Sequence, residues 1–374
     1  MTLGSTGAAP GAPERRPGRL GVGVVGAGRV GAVLGNALRA AGHPVVGVSA
    51  VSQESRDRAD ALLPGVPVLD VPEVVRRAEL VVLAVPDDAL TDLVRGLAEI
   101  GAWQMGQIVV HTSGRFGADV LTPARAAGAI PLALHPAMTF TGTSLDLARL
   151  IGCPFAVTAP AAVLPIGQAL VVEIGGEPTV LAEDARGLYH AALAHGANHL
   201  VVLVAQAAQA RAAAGVDDPG RMLTPLLEAA LDGALRAEST GEGSAREARG
   251  SGAVAALTGP VRRGDAGTVL EHLAALDAFA ARAGAPDVPA SYRTLARAAE
   301  ARALAAGLLR PDAAARVLDA LTSGTSQPSP VAGIDPDAGS LQSKDPDDPL
   351  PPRGGTARHQ HDDPDGPPGP QEDA

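Results

Sequence analysis

The sequence predicts an α/β unit built on a doubly wound parallel sheet, followed by an all-α unit. Three observations carry this. Short apolar runs alternate with helical patterns from Arg19 to about Val157; strand-like runs stop after about Ala182; and stretches with apolar residues three and four apart occupy the chain from there to Leu321.

The runs read as strands are Leu20–Val25, Val45–Val51, Leu80–Val85, Ile108–His111, Ile130–Leu134 and Phe155–Val157. Strands separated by helical patterns imply βαβ units and hence parallel pairing. Beyond them Asp184–Ala214 reads as one helix longer than about 40 Å at 1.5 Å per residue. Further helices are expected at Met222–Arg236, Asp265–Ala283, Ser291–Ala306 and Asp312–Leu321. The expected boundaries are a disordered leader at 1–18, a first domain at 19–182, a helical domain at 183–322 with a mobile insert at 237–252, and a tail at 323–374. The tail holds ten acidic and three basic residues, so most of the net charge of −11 belongs to a solvated Pro- and Asp-rich segment.

Composition excludes several chemistries. The single cysteine, Cys153, excludes an internal disulfide and a thiolate metal cluster, and suits a reducing cytosol. The single lysine, Lys344, lies in the tail, so the folded part has no P-loop lysine, Schiff-base lysine or lysine proton donor. Aromatic residues make up 2%, too few for base-stacking platforms, and the acidic balance argues against nucleic-acid binding. The first 18 residues lack the apolar core of a signal peptide, and no apolar run approaches the ~20 residues of a membrane span. A cytoplasmic protein without a membrane partner is expected.

One motif points to a cofactor. Leu20–Val25 runs into Gly26-Ala27-Gly28-Arg29-Val30-Gly31, and an amphipathic helix and second strand follow. A GxGxxG is weak alone, but strand before and helix after is the context of a dinucleotide site in a Rossmann fold. Gly26 serves the tight turn, Gly28 the approach of a pyrophosphate, and Gly31 close helix–strand packing. The second strand ends at Ser49, with Ser52, Arg56 and Arg58 beyond, where an NAD site carries a carboxylate. Hydroxyls and guanidinium suit a 2′-phosphate, so NADP(H) is expected over NAD(H). Val85 and Pro86, after the Leu80 strand, should border the nicotinamide ribose.

Two more strand tips should open on the same crevice: His111-Thr112-Ser113-Gly114, and His135-Pro136 followed by Thr139. Without lysine, histidine is the natural neutral-pH proton donor, and His135 is the leading candidate, with Ser113 and Thr139 as hydroxyl partners. His135 could instead hold its strand end through a backbone bond, and His111 could be buried in its strand. On the long helix, His195, Asn198 and His199 share a face and would line one wall. His195 and His199 lack a third ligand, so no metal is expected. The loop at Thr258 and Arg262 offers groups to an anionic substrate, or serves only as a turn and helix cap.

Together GAGRVG, AVPDDA, HTSG, LHPAMTF, YHAALAHGANHL and LTGPVRRGD resemble actinobacterial Rossmann-like proteins with a DUF2520 domain, over about Leu20–Leu321. The resemblance implies an NADP-type Rossmann domain, similar to F420-dependent NADP oxidoreductases, and an all-α domain like that of 6-phosphogluconate dehydrogenases. Prephenate dehydrogenases have a similar His-Pro strand tip preceded by a Ser, which implies His135 and Ser113 here. Ketopantoate reductases carry Asn four residues after a helix lysine; this chain has Asn198 and no such lysine.

The resulting expectation is an NADP(H)-dependent oxidoreductase that moves a hydride to or from a small anionic oxo or hydroxy metabolite. His135 exchanges the proton, Ser113 and Asn198 orient the carbonyl, and His195 stands beside them. A homodimer through the helical domain is expected. The alternatives are an NADP-binding sensor without turnover, or an enzyme like the F420-dependent or ketopantoate reductases.

Overall fold

A computed structural model of the chain describes residues 18–239 and 252–323. The expected leader up to residue 17, residues 240–251 of the expected insert, and the expected tail from residue 324 lie outside the described residues.

Seven strands form one sheet: β1 (Val22–Val25), β2 (Val45–Ser49), β3 (Leu80–Leu83), β4 (Ile108–His111), β5 (Ile130–Pro136), β6 (Pro154–Thr158) and β7 (Glu177–Val180). Their spatial order is β2-β1-β3-β4-β5-β6-β7. The chain leaves β1 to opposite sides for β2 and β3, which makes the β1/β3 boundary the topological switch point where α/β sheets hold ligands. Residues alternate between two cores. Val22, Val24, Leu80, Val82, Val110 and Leu132 face helices α1 (Arg29–Ala40), α2 (Gln53–Leu62), α6 (Leu145–Leu150) and α7 (Leu164–Glu173). Val25, Val81, Leu83 and Val109 face α3 (Val71–Arg77), α4 (Asp87–Glu99) and α5 (Thr122–Ala126). Burial on both faces is why these strands read as continuous apolar runs.

The sheet departs from full parallel pairing at one place: β6 runs antiparallel to β5, and β7 is parallel to β6. A parallel neighbour needs a crossover back to the start of β5. The segment after Pro136 instead stays at the end where β5 finishes, with Ala137 N–H bonded to Pro154 O at 2.9 Å and Gly142 against Arg29 and Arg58. The sequence gives no sign of β7, because Glu177, Thr179 and Val180 are exposed and Pro178 interrupts the run; an edge strand tolerates both.

The long helix is present as one element: α8 (Arg186–Leu193), a π-helical turn (Ala194–Asn198) and α9 (His199–Ala213). A π turn inserts one residue into the helical repeat, so α9 presents a different face from the one α8 would continue. α10 (Pro219–Ser239) packs on α9. Helices α11 (Gly259–Arg263), α12 (Ala266–Ala283), α13 (Asp287–Ala305) and α14 (Pro311–Thr322) close around Val261, Val269, Leu273, Val317 and Leu321. Buried Gln206 ties α9 to α13, donating to Asp287 Oδ2 at 2.7 Å and Ser291 Oγ at 3.1 Å. Most of Glu183–Ala213 is uncovered, with Leu188 78% and Val201 69% exposed. Among the described residues, Glu183–Ala213 is the one helix long and apolar enough to cross a membrane by length and composition alone.

Candidate active site at the C-terminal edge of the sheet

Parallel register builds the site. Val25, Leu83, His111 and Ala133 pair across β1, β3, β4 and β5. Two residues further along each strand come Ala27, Val85, Ser113 and His135, so four distant sequence segments meet at one edge.

At the β1 end, Gly26 has φ +96°, and a Cβ there would lie 2.6 Å from Ala84 O. A Cβ on Gly31 would run into the Gly26 carbonyl. Gly28 faces open space and begins α1 without any side-chain cap, which leaves the first N–H groups of α1 available to an anion. Ala27 donates to Ser49 O at 2.8 Å, and Val30 is half-buried behind the loop. Ser49 is buried and its hydroxyl accepts from Gly26 N–H at 3.0 Å, so it braces the loop instead of standing free at the strand tip. Ser52 caps α2 by accepting from Ser55 N–H at 3.1 Å. Arg56 is exposed. Arg58 is half-buried, reaches Ala27 O at 3.4 Å and lies 3.7 Å from Glu54. A Cβ on Gly142 would fall 2.7 Å from Arg58 Nε and 3.0 Å from Arg29 Cγ. The loop after His135 thus lies over two arginines beside the glycine turn. Buried Asp146 shapes that loop, accepting from Thr141 N–H at 2.8 Å and Gly142 N–H at 2.7 Å. Burial pushes the Asp146 carboxyl up, and these bonds outweigh it and hold it below the usual range. Gly142 and Asp146 were not singled out from sequence; the positive φ of Gly142 (+80°) is a signal only the fold reveals.

At the reacting end, His135 Nδ1 and Tyr189 Oη are 2.9 Å apart, with the rings edge to face. A Cβ on Gly114 would lie 2.9 Å from His135 Nε2 and 3.1 Å from His190 Cδ2, so a glycine is what lets both imidazoles approach β4. Arg186 is buried and bonds only to neutral oxygens: Thr158 Oγ1 (2.9 Å), Ser113 O (3.3 Å), Ala133 O (3.0 Å) and Ala156 O (3.0 Å). Burial first, then the Arg186 charge and His190, push His135 down to about 4, although Asp87 opposes this. The expected titration near neutrality is therefore corrected: His135 is a neutral imidazole at pH 7. Its partner is also corrected. Ser113 Oγ accepts from the N–H groups of Arg115 (3.2 Å) and Phe116 (3.3 Å), and it is Tyr189 that holds His135. Arg186, Tyr189 and His190 share one helix face at i, i+3 and i+4.

The remaining candidates are dispersed. His111 is wholly buried, with Nε2 on Gly117 O (2.8 Å) and Nδ1 accepting from Ser113 N–H (3.2 Å). His195, Asn198 and His199 are exposed on the π turn and its exit, with the two Nδ1 atoms 3.0 Å apart. Val85 is half-buried, Pro86 precedes α4 and is exposed, and Thr139 is exposed on the loop after β5. Thr258 lines an apolar groove of ≈ 750 Å³ in the helical domain, together with Leu203, His272 and Tyr292. Arg262 is half-buried on α11, with its Nε buried and unpartnered.

The His111 environment has a measurable consequence. Burial pushes this imidazole down to about 4, outweighing its bond to Gly117. Its folded pKa lies below its unfolded one, so the stabilisation is complete above pH 6.5 and is lost as pH falls toward 4. At 1.36 kcal/mol per pKa unit the loss is about 3 kcal/mol. Urea unfolding at pH 7 and 4.5 should show it, and His111→Gln should shrink the difference; an unchanged pH dependence in that variant contradicts it.

Comparison with known proteins places these features. The Rossmann-like domain family matches residues 6–136, and the Domain of unknown function DUF2520 matches residues 153–299. The chain belongs to the family that joins these two domains. The two matches leave β1–β5 in the Rossmann-like domain and β6–β7 in the DUF2520 domain, so the antiparallel step marks the junction within one sheet. His135 comes from the first domain; Arg186 and Tyr189 come from the second.

No curated protein matches the chain. Among solved structures, Bacteroides fragilis BF3122, described as an NADP oxidoreductase, is 21% identical with a TM-score of 0.59, covering 75% of this chain and 98% of its own. Thermotoga maritima protein TM1727 is 20% identical with a TM-score of 0.53, covering 76% and 98%. A Myxococcus stipitatus imine reductase, solved with NADP+, is 18% identical with a TM-score of 0.53, covering 80% and 99%. At these identities the likeness concerns the fold.

Proposed function

We propose that the chain is an NADP(H)-dependent oxidoreductase acting on a small anionic oxo or hydroxy metabolite. One observation carries the reading: a single sheet edge joins an uncapped glycine turn to the His135–Tyr189 hydrogen bond, next to the fixed charge of Arg186. The residues fit the cofactor. Gly26, Gly28 and the first N–H groups of α1 would hold the pyrophosphate, and Val85 would border the nicotinamide ribose. When bound, the dinucleotide supplies or accepts the hydride. The proton is exchanged at the His135–Tyr189 pair, and the Arg186 charge draws an anionic substrate toward it.

Arg29 and Arg58 lie beside the glycine turn, Arg56 is exposed on the same helix as Arg58, and the strand tip carries Ser49 in place of the carboxylate of an NAD site, which supports NADP(H). A charge-assisted hydrogen bond contributes about 1.5–3 kcal/mol. Replacing Arg56 and Arg58 with Ala should therefore weaken NADPH roughly 10- to 100-fold and leave NADH nearly unchanged. Calorimetric titration of both nucleotides checks this; equal affinity in the unaltered protein would sink the preference. Turnover is tested by NADPH consumption with a panel of small oxo acids.

The partner reading is a second copy of the chain. Exposed Val201 and Val202 on α9 adjoin the groove that Leu203, Ala207 and Leu276 line. A ridge beside a groove on one molecule is self-complementary under a two-fold axis. Sedimentation at micromolar concentration should give twice the chain mass, and a strictly monomeric mass would refute the pairing.

A further inference from the structure

We propose that Tyr189 is the acid that gives the proton to the substrate, and that His135 is a neutral hydrogen-bond donor holding the phenol oxygen. The inference deepens the oxidoreductase reading and rests on it.

The 2.9 Å contact between His135 Nδ1 and Tyr189 Oη carries one proton, which belongs to one side or the other. If Tyr189 donates to Nδ1, its O–H is committed to the histidine and His135 Nε2 carries the free proton. If Nδ1–H donates to Oη, the phenolic proton is free for the cleft. The surroundings decide between them. Histidine acts as an acid through its imidazolium, and that form is suppressed here by burial, by Arg186 and by His190, with only Asp87 acting against it. A neutral imidazole N–H is a far weaker acid than a phenol, whose ordinary pKa is about 10. Burial keeps Tyr189 protonated, as does nearby Cys153, while the Arg186 charge works the other way and favours the phenolate. Arg186 bonds only to Thr158 Oγ1 and the carbonyls of Ser113, Ala133 and Ala156. These contacts are all neutral; Glu183 offsets part of the charge from outside them, and the Arg186 field still opposes imidazolium at His135 and favours an anion at Tyr189.

The step balances with a nicotinamide dinucleotide as reductant. As the hydride reaches the carbonyl carbon, the Tyr189 O–H bond breaks and the proton passes to the carbonyl oxygen, giving the hydroxyl. The phenolate is held by His135 Nδ1–H and by the Arg186 charge until solvent reprotonates it after the product leaves. His135 is then a positioning residue.

Two measurements on the full chain test this. In ¹⁵N NMR of histidine-labelled protein without ligand at pH 7, with His135→Asn used to assign the signal, His135 should carry its proton on Nδ1 alone. The signal should move in Tyr189→Phe. A proton on Nε2 alone, or on both nitrogens, overturns the proposal. This needs no substrate, so it is separable from the oxidoreductase reading, which fails instead if NADPH neither binds nor is consumed. In turnover, Tyr189→Phe should lower kcat by roughly 10²–10⁴-fold with NADPH affinity unchanged. His135→Asn keeps an N–H donor toward the phenol oxygen and should stay within about tenfold of the unaltered rate, a smaller loss than a missing acid produces. Losses that are equal in the two variants, or larger in His135→Asn, overturn the assignment.

Discussion

Arg186→Ala is expected to destabilise the protein more than any surface change. The guanidinium gathers four oxygens from three strands or their tips: Ser113 O after β4, Ala133 O on β5, and Ala156 O and Thr158 Oγ1 on β6. It is also the point where α8 is anchored to the sheet. Its removal leaves these acceptors buried, and each orphaned group costs about 1–3 kcal/mol unless water enters. Part of the loss is offset because a desolvated charge disappears as well. A net loss of about 3–5 kcal/mol follows, or roughly 10 °C in Tm for a domain of this size. Arg186→Lys should recover little, since one ammonium cannot reach the spread of oxygens that a planar fork does. Thermal unfolding with intact NADPH binding and a shift under 2 °C would show that Arg186 is not the anchor described.

The second large effect is a contrast between two glycines of one motif. Gly28→Ala should weaken NADPH by roughly 100-fold, equivalent to about 2.7 kcal/mol, because the new methyl occupies the space left for a pyrophosphate. Its own backbone tolerates the change: φ is −71°, and nothing lies within 4 Å of the added carbon. Folding stability should stay level or rise by about 0.4–1 kcal/mol, since alanine restricts the unfolded chain. Gly31→Ala should do the reverse first. Its methyl meets the Gly26 carbonyl and lies 2.9 Å from the Ala84 side chain, so the turn itself must shift and stability drops by about 1–3 kcal/mol before any nucleotide is added. Denaturation curves paired with nucleotide titrations check both arms. If Gly28→Ala binds NADPH normally, the open space is not the phosphate site.

Much of this architecture was legible. β1–β6 follow from apolar runs buried on two faces, and α8–α10 and α12–α14 from apolar spacing, although α9 leaves most of its apolar face uncovered; α11, read as a loop around Thr258 and Arg262, is a short helix. The glycine turn was readable because backbone geometry and residue type are tied there. The reversal at β6 was not legible, since pairing direction depends on where the Ala137–Cys153 segment travels, and no local pattern encodes that. The reacting end was half legible. His135 was found because a polar residue at a strand tip stands out. Its partner Tyr189 was 54 residues away on a helix whose other polar residues, His195 and Asn198, were equally visible and turned out to be exposed. Arg186 gave no sign at all: an arginine at the start of a helix looks like a solvated residue until three strands of carbonyls are seen around it.

The π turn between α8 and α9 couples two parts of the gene that are otherwise separate. One residue in a helix is worth about 100° of rotation. Deleting the extra residue would leave Arg186 and Tyr189 on the sheet while swinging Leu203 and Ala207 away from the groove they line. The residue count between Tyr189 and Leu203 is therefore a shared constraint, set by the sheet on one side and the helical bundle on the other. Grafting a DUF2520 bundle from a relative onto this sheet should succeed only when the splice preserves that count, however well each half folds in its own setting. Within such a lineage, a length change in this stretch would have to arrive together with a re-patterning of the whole of α9, so an alignment of relatives should show few insertions in the turn even though its side chains face solvent.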